Sequence, residues 1–213
     1  MSKIQPIPKK ILSRLEADGR AFESLAHRTV FTAYDLASTL RRSLDEVAKA
    51  LIIKAGPFVA VAVMPAGRRL DTAKLTKVLS KHQGKVLPEA KIVSEKAALK
   101  VTEEDERPVA AFASYYDLPL FVDVLIAKKI RAVFPAGSFN TSLEMKVKDF
   151  LAHENGILAA FTIPGPKPQK PQKNVKKVKK VVKKVAKKTV KKVAKKSIKK
   201  AAPKKKSVAK RKK

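Results

Sequence analysis

Few side chains in this sequence are placed to do chemistry, and Lys49 stands out by what surrounds it. Ser43 and Glu46 have the capping-box spacing, in which a serine oxygen and a glutamate carboxylate each satisfy an orphan backbone N–H at a helix start, so a short helical turn is expected there. Leu51, Ile52 and Ile53 form an apolar, β-branched run too short for a helix, which predicts a core strand delivering Lys49 at its entrance. The chemistry on offer is that of a cation on a rigid scaffold. From spacing alone, however, such a lysine reads as a surface group whose stem covers the sheet end while its ammonium stays in water.

The usual catalytic patterns are missing. The chain contains no Gly-x-Ser-x-Gly, His-Glu-x-x-His, P-loop or Gly-x-Gly-x-x-Gly, and no cysteine, which excludes disulfides, thiolate nucleophiles and cysteine zinc sites. Its three histidines, His27, His82 and His153, lack metal-ligand spacing and read as isolated polar contacts, so neither metal nor cofactor is expected. Aromatic residues make up 6% of the chain, too few for a base-stacking sheet of the RNA-recognition type.

The elements that must position Lys49 follow from periodicity. Ile11, Leu12 and Leu15 predict a first helix ending near Asp18, with Gly19 available for a left-handed cap. A short strand is expected over 21–27, ending at His27, and a helix from Thr32, where Thr32 and Asp35 form a weaker capping box. The run 58–64 predicts a second apolar strand, joined to the Lys49 strand through Gly56 and Pro57 as an antiparallel hairpin with a slightly long turn. Asp71 is placed to cap a helix carrying Leu75, Val78 and Leu79. A short helix is expected over 94–99, and strands over 118–123 and 130–134. Without a regular βαβ period, the class predicted is α+β.

Charge divides the chain. Of 49 basic and 18 acidic residues, 24 basic and no acidic ones fall in 166–213, leaving a net charge of +7 for residues 1–165. Closely spaced prolines at 164, 166, 168 and 171 mark the boundary between a folded domain over 1–165 and a tail over 166–213. The tail repeats an eight-residue unit at 182–189 and 190–197, which includes Lys183, Lys184, Lys187, Lys188, Lys191, Lys192, Lys195 and Lys196. So little apolar area cannot offset chain entropy, so the tail is expected to be disordered when free and to bind a polyanion, nucleic acid first. Its wording resembles the lysine-rich tails of linker histones and bacterial histone-like proteins. No signal-peptide core or membrane-length apolar run occurs, and a soluble, cytoplasmic protein that does not enter membranes is expected.

Residues 20–152 resemble the YbaK/prolyl-tRNA-synthetase-associated editing domains, a family of aminoacyl-tRNA deacylases. The resemblance rests on His27 with 32–37, on 47–51 around Lys49, on 63–66 with Leu70, Asp71 and Leu75, on Ser94 and Glu95, on 118–123, on 133–138, and on Met145, Asp149 and Phe150. It implies a mixed, mostly antiparallel, barrel-like sheet surrounded by helices, and a trans-acting hydrolase that removes amino acids from mischarged tRNA. Lys49 would then hold the substrate carbonyl or terminal phosphate, its charge favouring the developing oxyanion. Substrate binding would fall to His27, Ala110, Ala111, Gly137, Ser138 and Phe139. The partners implied are mischarged tRNA and an aminoacyl-tRNA synthetase, with DNA as a further partner of the tail. Two departures fall on this pocket. The family's Gly-x-x-x-Pro element reads Arg107 to Ala111 here, and its Thr-His pair after the loop glycine reads Ser138 and Phe139. These departures keep open a different reading, a non-catalytic, histone-like nucleic-acid-binding protein with a degenerate editing fold as its head.

Overall fold

A computed structural model of the chain describes residues 6–94, 97–98 and 107–165. All lie in the first of two units, Met1–Pro166 and Lys167–Lys213. The lysine-rich tail, with the eight lysines named above, lies outside the described residues, as does most of the helix expected over 94–99, of which Ala97 and Ala98 are helical.

Helix α1 (Lys9–Ala17) and strand β1 (Phe22–Ala26) are followed by helix α2 (Ala33–Leu40). The hairpin β2 (Ala48–Ala55) and β3 (Phe58–Pro65) comes next, then β4 (Arg68–Leu70), α3 (Thr72–Gln83) and β5 (Lys91–Ile92). A 3-10 turn at Ala113–Tyr116 precedes β6 (Leu120–Asp123), α4 (Val124–Ala127) and β7 (Arg131–Pro135). Strand β8 (Thr141–Lys146), α5 (Val147–Glu154), β9 (Ile157–Ala159) and β10 (Thr162–Pro164) complete the fold. The caps behave as their residue types require: Thr32 Oγ1 accepts from the Asp35 N–H at 3.1 Å, and Asp71 Oδ1 from the Lys74 N–H at 3.0 Å.

The strands make a five-stranded sheet in the order β5-β2-β3-β6-β9, a three-stranded sheet β1-β8-β7 and a two-stranded sheet β10-β4. The β3–β6 and β6–β9 pairs are parallel and every other pair antiparallel. The α+β class and the mixed, mostly antiparallel pairing are therefore as expected. Both faces of the central sheet are buried, which is why its strands read as continuous apolar runs. Ile52, Val61, Val63, Leu120 and Val122 face a core shared with Ile11 and Leu15 of α1, while Ile53, Ala60, Ala62, Met64 and Phe121 face Leu75 and Leu79 of α3. On the α1 side, Phe134 stacks on Phe150 at 4.0 Å between ring centroids, and Phe112 meets Phe150 edge-on.

Two local expectations need correction. Ser43 to Glu46 is a turn and not a helix start. The Glu46 carboxylate does reach back to the Ser43 N–H at 3.1 Å, and that bond, with one from the Ser43 hydroxyl, holds its carboxyl below the usual glutamate value. The Glu46 carbonyl, however, accepts from the Val133 N–H at 2.9 Å, and Val47 bridges Val133, joining the five- and three-stranded sheets. Sheet pairing thus takes the backbone that a helix would have needed. The β2–β3 turn is also tighter than expected. Ala55 pairs with Phe58, leaving Gly56 and Pro57 as a two-residue loop, and positive φ at Gly56 followed by the fixed negative φ of proline is the type II′ arrangement that matches strand twist.

Candidate active site

Strand β2 presents Lys49 one residue inside its start, opposite Met64 of β3. The lysine is half-buried. Its Nζ donates to the carbonyl of Ala66, in the turn after β3, at 3.4 Å and to that of Arg68, the first residue of β4. Burial pushes its pKa below the ordinary lysine value, and the nearby Arg69 charge adds to the effect. An ammonium has three donors, so among the described residues one N–H remains for a ligand.

Lys49 lines a cavity of about 980 Å³, at the upper end of the range of small-molecule sites. One wall comes from Val30 and Phe31, between β1 and α2, and from Tyr34 in the first turn of α2; others come from Arg107 to Val109, and from Ser138, Phe139 and Ser142. Ser142 lies on β8, the central strand of its sheet, and is 2% exposed. His27 stands directly behind it, with Nε2 3.0 Å from Ser142 Oγ and Nδ1 2.9 Å from the Arg28 carbonyl oxygen. A carbonyl can only accept, so Nδ1 carries the proton. In the neutral ring Nε2 is then free to accept from the serine hydroxyl.

The structure brings Lys49, Ser138 and Phe139 to the cavity wall, with His27 in contact through Ser142. It does not bring Ala110 or Ala111 there, and this corrects the sequence-based expectation. Both are fully buried in the core, their backbone N–H groups held by the Tyr116 hydroxyl at 2.8 Å and the Pro135 carbonyl at 2.8 Å. Gly137 is a partial correction. It has φ of +73°, but the space left by its missing side chain is taken by Pro8, whose ring carbons would lie 3.3 Å from an added Cβ. Arg107 Nη1 donates to the Pro6 carbonyl at 2.9 Å and the Gly137 carbonyl at 3.1 Å. The arginine that departs from the family pattern thus braces the N-terminal segment against the glycine loop.

Residue types alone did not single out Ser142, Phe31 or Tyr34 as cavity residues. Ser142 had a signal, because Thr141, Leu143 and Met145 alternate with it in period two. Phe31 had none, being a lone aromatic between a strand and a helix cap.

A second polar cluster lines a pocket of about 410 Å³ that shares no residue with the first. His153 pairs through Nδ1 with Asp18, and its Nε2 lies 3.5 Å from Glu154 Oε1. Glu154 accepts from the Ser114 N–H and hydroxyl, each at 2.8 Å. Burial raises the Glu154 carboxyl above its usual value, against the pull of those hydrogen bonds. Among the described residues no group of three or more histidine, aspartate or glutamate side chains is arranged to hold a metal, and no helix is long and apolar enough to cross a membrane.

Comparison with known proteins then decides the family, since the model of the aminoacyl-tRNA editing domain matches residues 27–152, more than half of the chain. The chain belongs to that family. Two solved structures with the same fold are the hypothetical protein APE2540 and a candidate trans-editing enzyme for prolyl tRNA synthetase. The first is 20% identical, with a TM-score of 0.62 over 72% of this chain and 99% of its own. The second is 16% identical, with a TM-score of 0.62 over 76% of this chain and 99% of its own. At these identities the likeness is one of fold. No curated protein matches the chain.

Proposed function

We propose that this editing-domain protein is a trans-acting aminoacyl-tRNA deacylase, and that Lys49 is its catalytic residue. The observation that carries this reading is a half-buried lysine amine, fixed by two backbone carbonyls, in the wall of a cavity large enough for an aminoacyl nucleoside. An aminoacyl ester is already activated, so its hydrolysis needs chiefly an oriented water and a stabilised oxyanion. Water oxygen forms the new bond to the ester carbon, and the Lys49 N–H meets the negative charge that develops on the carbonyl oxygen. The ester C–O bond then breaks, and the proton lost by water goes to the departing ribose oxygen, giving free amino acid and tRNA. Ser142, held by His27, is placed to orient that water, and Ser138 and Phe139 face the amino acid. The domain would comprise residues 1–165, and the tail 166–213 would add sequence-independent affinity for tRNA and other nucleic acids, in the cytoplasm and alongside a synthetase.

A panel of mischarged tRNAs tests the reading: turnover of at least one pair, lost in Lys49→Met, is expected, and no turnover on any pair defeats it. The tail has its own test. If on the order of ten of its basic groups meet phosphates, the log–log salt slope of tRNA binding is roughly −7 to −9. Deleting 166–213 should flatten that slope, and an unchanged slope would assign binding to the folded domain.

A further inference from the structure

Phe31 is 77% exposed, yet the backbone that carries it is fixed. The Val30 N–H donates to the Phe139 carbonyl at 2.8 Å, the His27 N–H donates to the Asn140 carbonyl at 2.9 Å, and Thr32 caps α2 on the other side. One side of the Phe31 ring rests on Phe139, 5.3 Å between centroids and tilted by 52°. The rest faces solvent. A phenylalanine left so exposed forfeits most of what burial would contribute, and two exposed aromatic groups beside one cavity mark a binding surface more than a packing accident. Among the described residues, Phe31 and the partly exposed Tyr34 are the aromatic members of the exposed large hydrophobic set, and both line the Lys49 cavity.

We infer that Phe31, backed by Phe139 and flanked by Tyr34, is the stacking platform for the terminal adenine of the tRNA acceptor end. This rests on the deacylase reading, because it is the ester on the terminal ribose that Lys49 would meet, and the base attached to that ribose must then lie at the rim of the same cavity. An exposed ring on an anchored loop suits a flat purine better than an amino-acid side chain, since stacking needs an open π-face, and the enclosed part of the cavity is left to the amino acid. Stacking reads no hydrogen-bond pattern. It therefore serves every tRNA, all of which end in the same nucleoside, while selectivity stays with the inner wall.

The chain contains no tryptophan, so Phe31→Trp in the full-length protein gives a single fluorescent reporter at the proposed contact. The probes are one uncharged tRNA with its terminal adenosine and the same tRNA lacking that nucleotide, compared at high salt to suppress phosphate binding. The expected result is quenching of the introduced indole by intact tRNA alone. Unmodified protein should bind intact tRNA roughly tenfold more tightly than truncated tRNA, within the range that loss of one base–aromatic stack produces. Phe31→Ala and Phe31→Leu should both lose that preference, the leucine variant showing that the π-face matters and not apolar area. Equal responses to the two tRNAs, or a preference surviving in Phe31→Ala, overturn the inference. Emission that follows protein dilution and ignores tRNA also overturns it, and assigns the surface to self-association. The deacylation panel is a separate readout. Terminal-adenosine discrimination without turnover would retain the platform and reject the catalytic reading, and turnover without discrimination would do the reverse.

Discussion

Two clusters in this molecule contain histidine and serine, and they are built in opposite ways. The cluster of Asp18, His153, Glu154 and Ser114 has the residue types of a nucleophilic triad, but its hydrogen bonds run the wrong way for one. The Ser114 hydroxyl donates to the Glu154 carboxylate, while the two imidazole nitrogens face carboxylates. Every group there is occupied in fastening α1 and the 113–116 turn to α5. At the Lys49 cavity the composition is less suggestive, but the connectivity leaves polar groups available to a ligand. Ser142 meets a ring nitrogen whose tautomer is fixed by a backbone carbonyl, and the lysine keeps a donor unspent. Both clusters border a cavity, so it is connectivity, and not residue type or access, that separates a candidate site from a clamp.

The sharpest way to break this contrast is at Lys49. Lys49→Met should lower deacylation by about 100-fold or more, the range for loss of one preorganised oxyanion donor. It should not unfold the domain. Because the folded-state pKa of Lys49 is lowered, the unfolded chain binds the proton more readily. The charged lysine therefore costs stability at neutral pH, and that cost fades as pH rises towards 10.5. Equal rates, or unfolding seen by circular dichroism, would contradict the assignment.

His27→Ala should come next, lowering kcat by up to about 100-fold with little change in KM, since it removes the ring nitrogen that holds Ser142. Ser114→Ala, made in the clamp, should leave kcat unchanged and lower the denaturant midpoint by an amount worth about 1–2 kcal/mol. If the serine variant alters kcat, the two clusters are not separate.

Gly137→Ala probes the loop that carries Ser138 and Phe139. A left-handed φ of +73° and the approach of Pro8 should cost about 1–2 kcal/mol of stability. Restored stability on trimming Pro8 to Ala in the same chain would identify the proline contact as part of that cost.

The smallest effect is expected from Glu154→Gln and is one of pH dependence. The folded-state pKa of Glu154 is raised above 4.5, so just above that pH the folded protein keeps a proton that the unfolded chain has released. The stabilisation is fully present below 4.5 and declines as pH rises through the raised value. Glutamine should flatten that decline in unfolding midpoints measured from about pH 4.5 to about pH 8. An unchanged slope would show that Glu154 titrates normally.

Much of this protein was legible in its sequence. The apolar runs of β2 and β3, the Thr32 and Asp71 caps and the end of α1 are local, set by periodicity and by side chains reaching three residues along the chain. Lys49 was legible too, as a cation carried on a core strand, and the ordered motifs around it pointed to the family. Contacts between distant segments were not legible. The helical turn expected at Ser43 gave way to sheet pairing because Val133 claims the Glu46 carbonyl. Ala110 and Ala111 moved from the pocket to the core because their N–H groups are taken by Tyr116 and Pro135. Ser142 joined His27 across 115 positions, and Phe31 met Phe139 across a similar span, through the register of β8 with β1 and the loops it brings together. Local sequence fixes how a segment folds on itself, because those energies depend on neighbours along the chain. Which side chains share a cavity depends on long-range pairing, so only the tertiary structure decided the composition of the site.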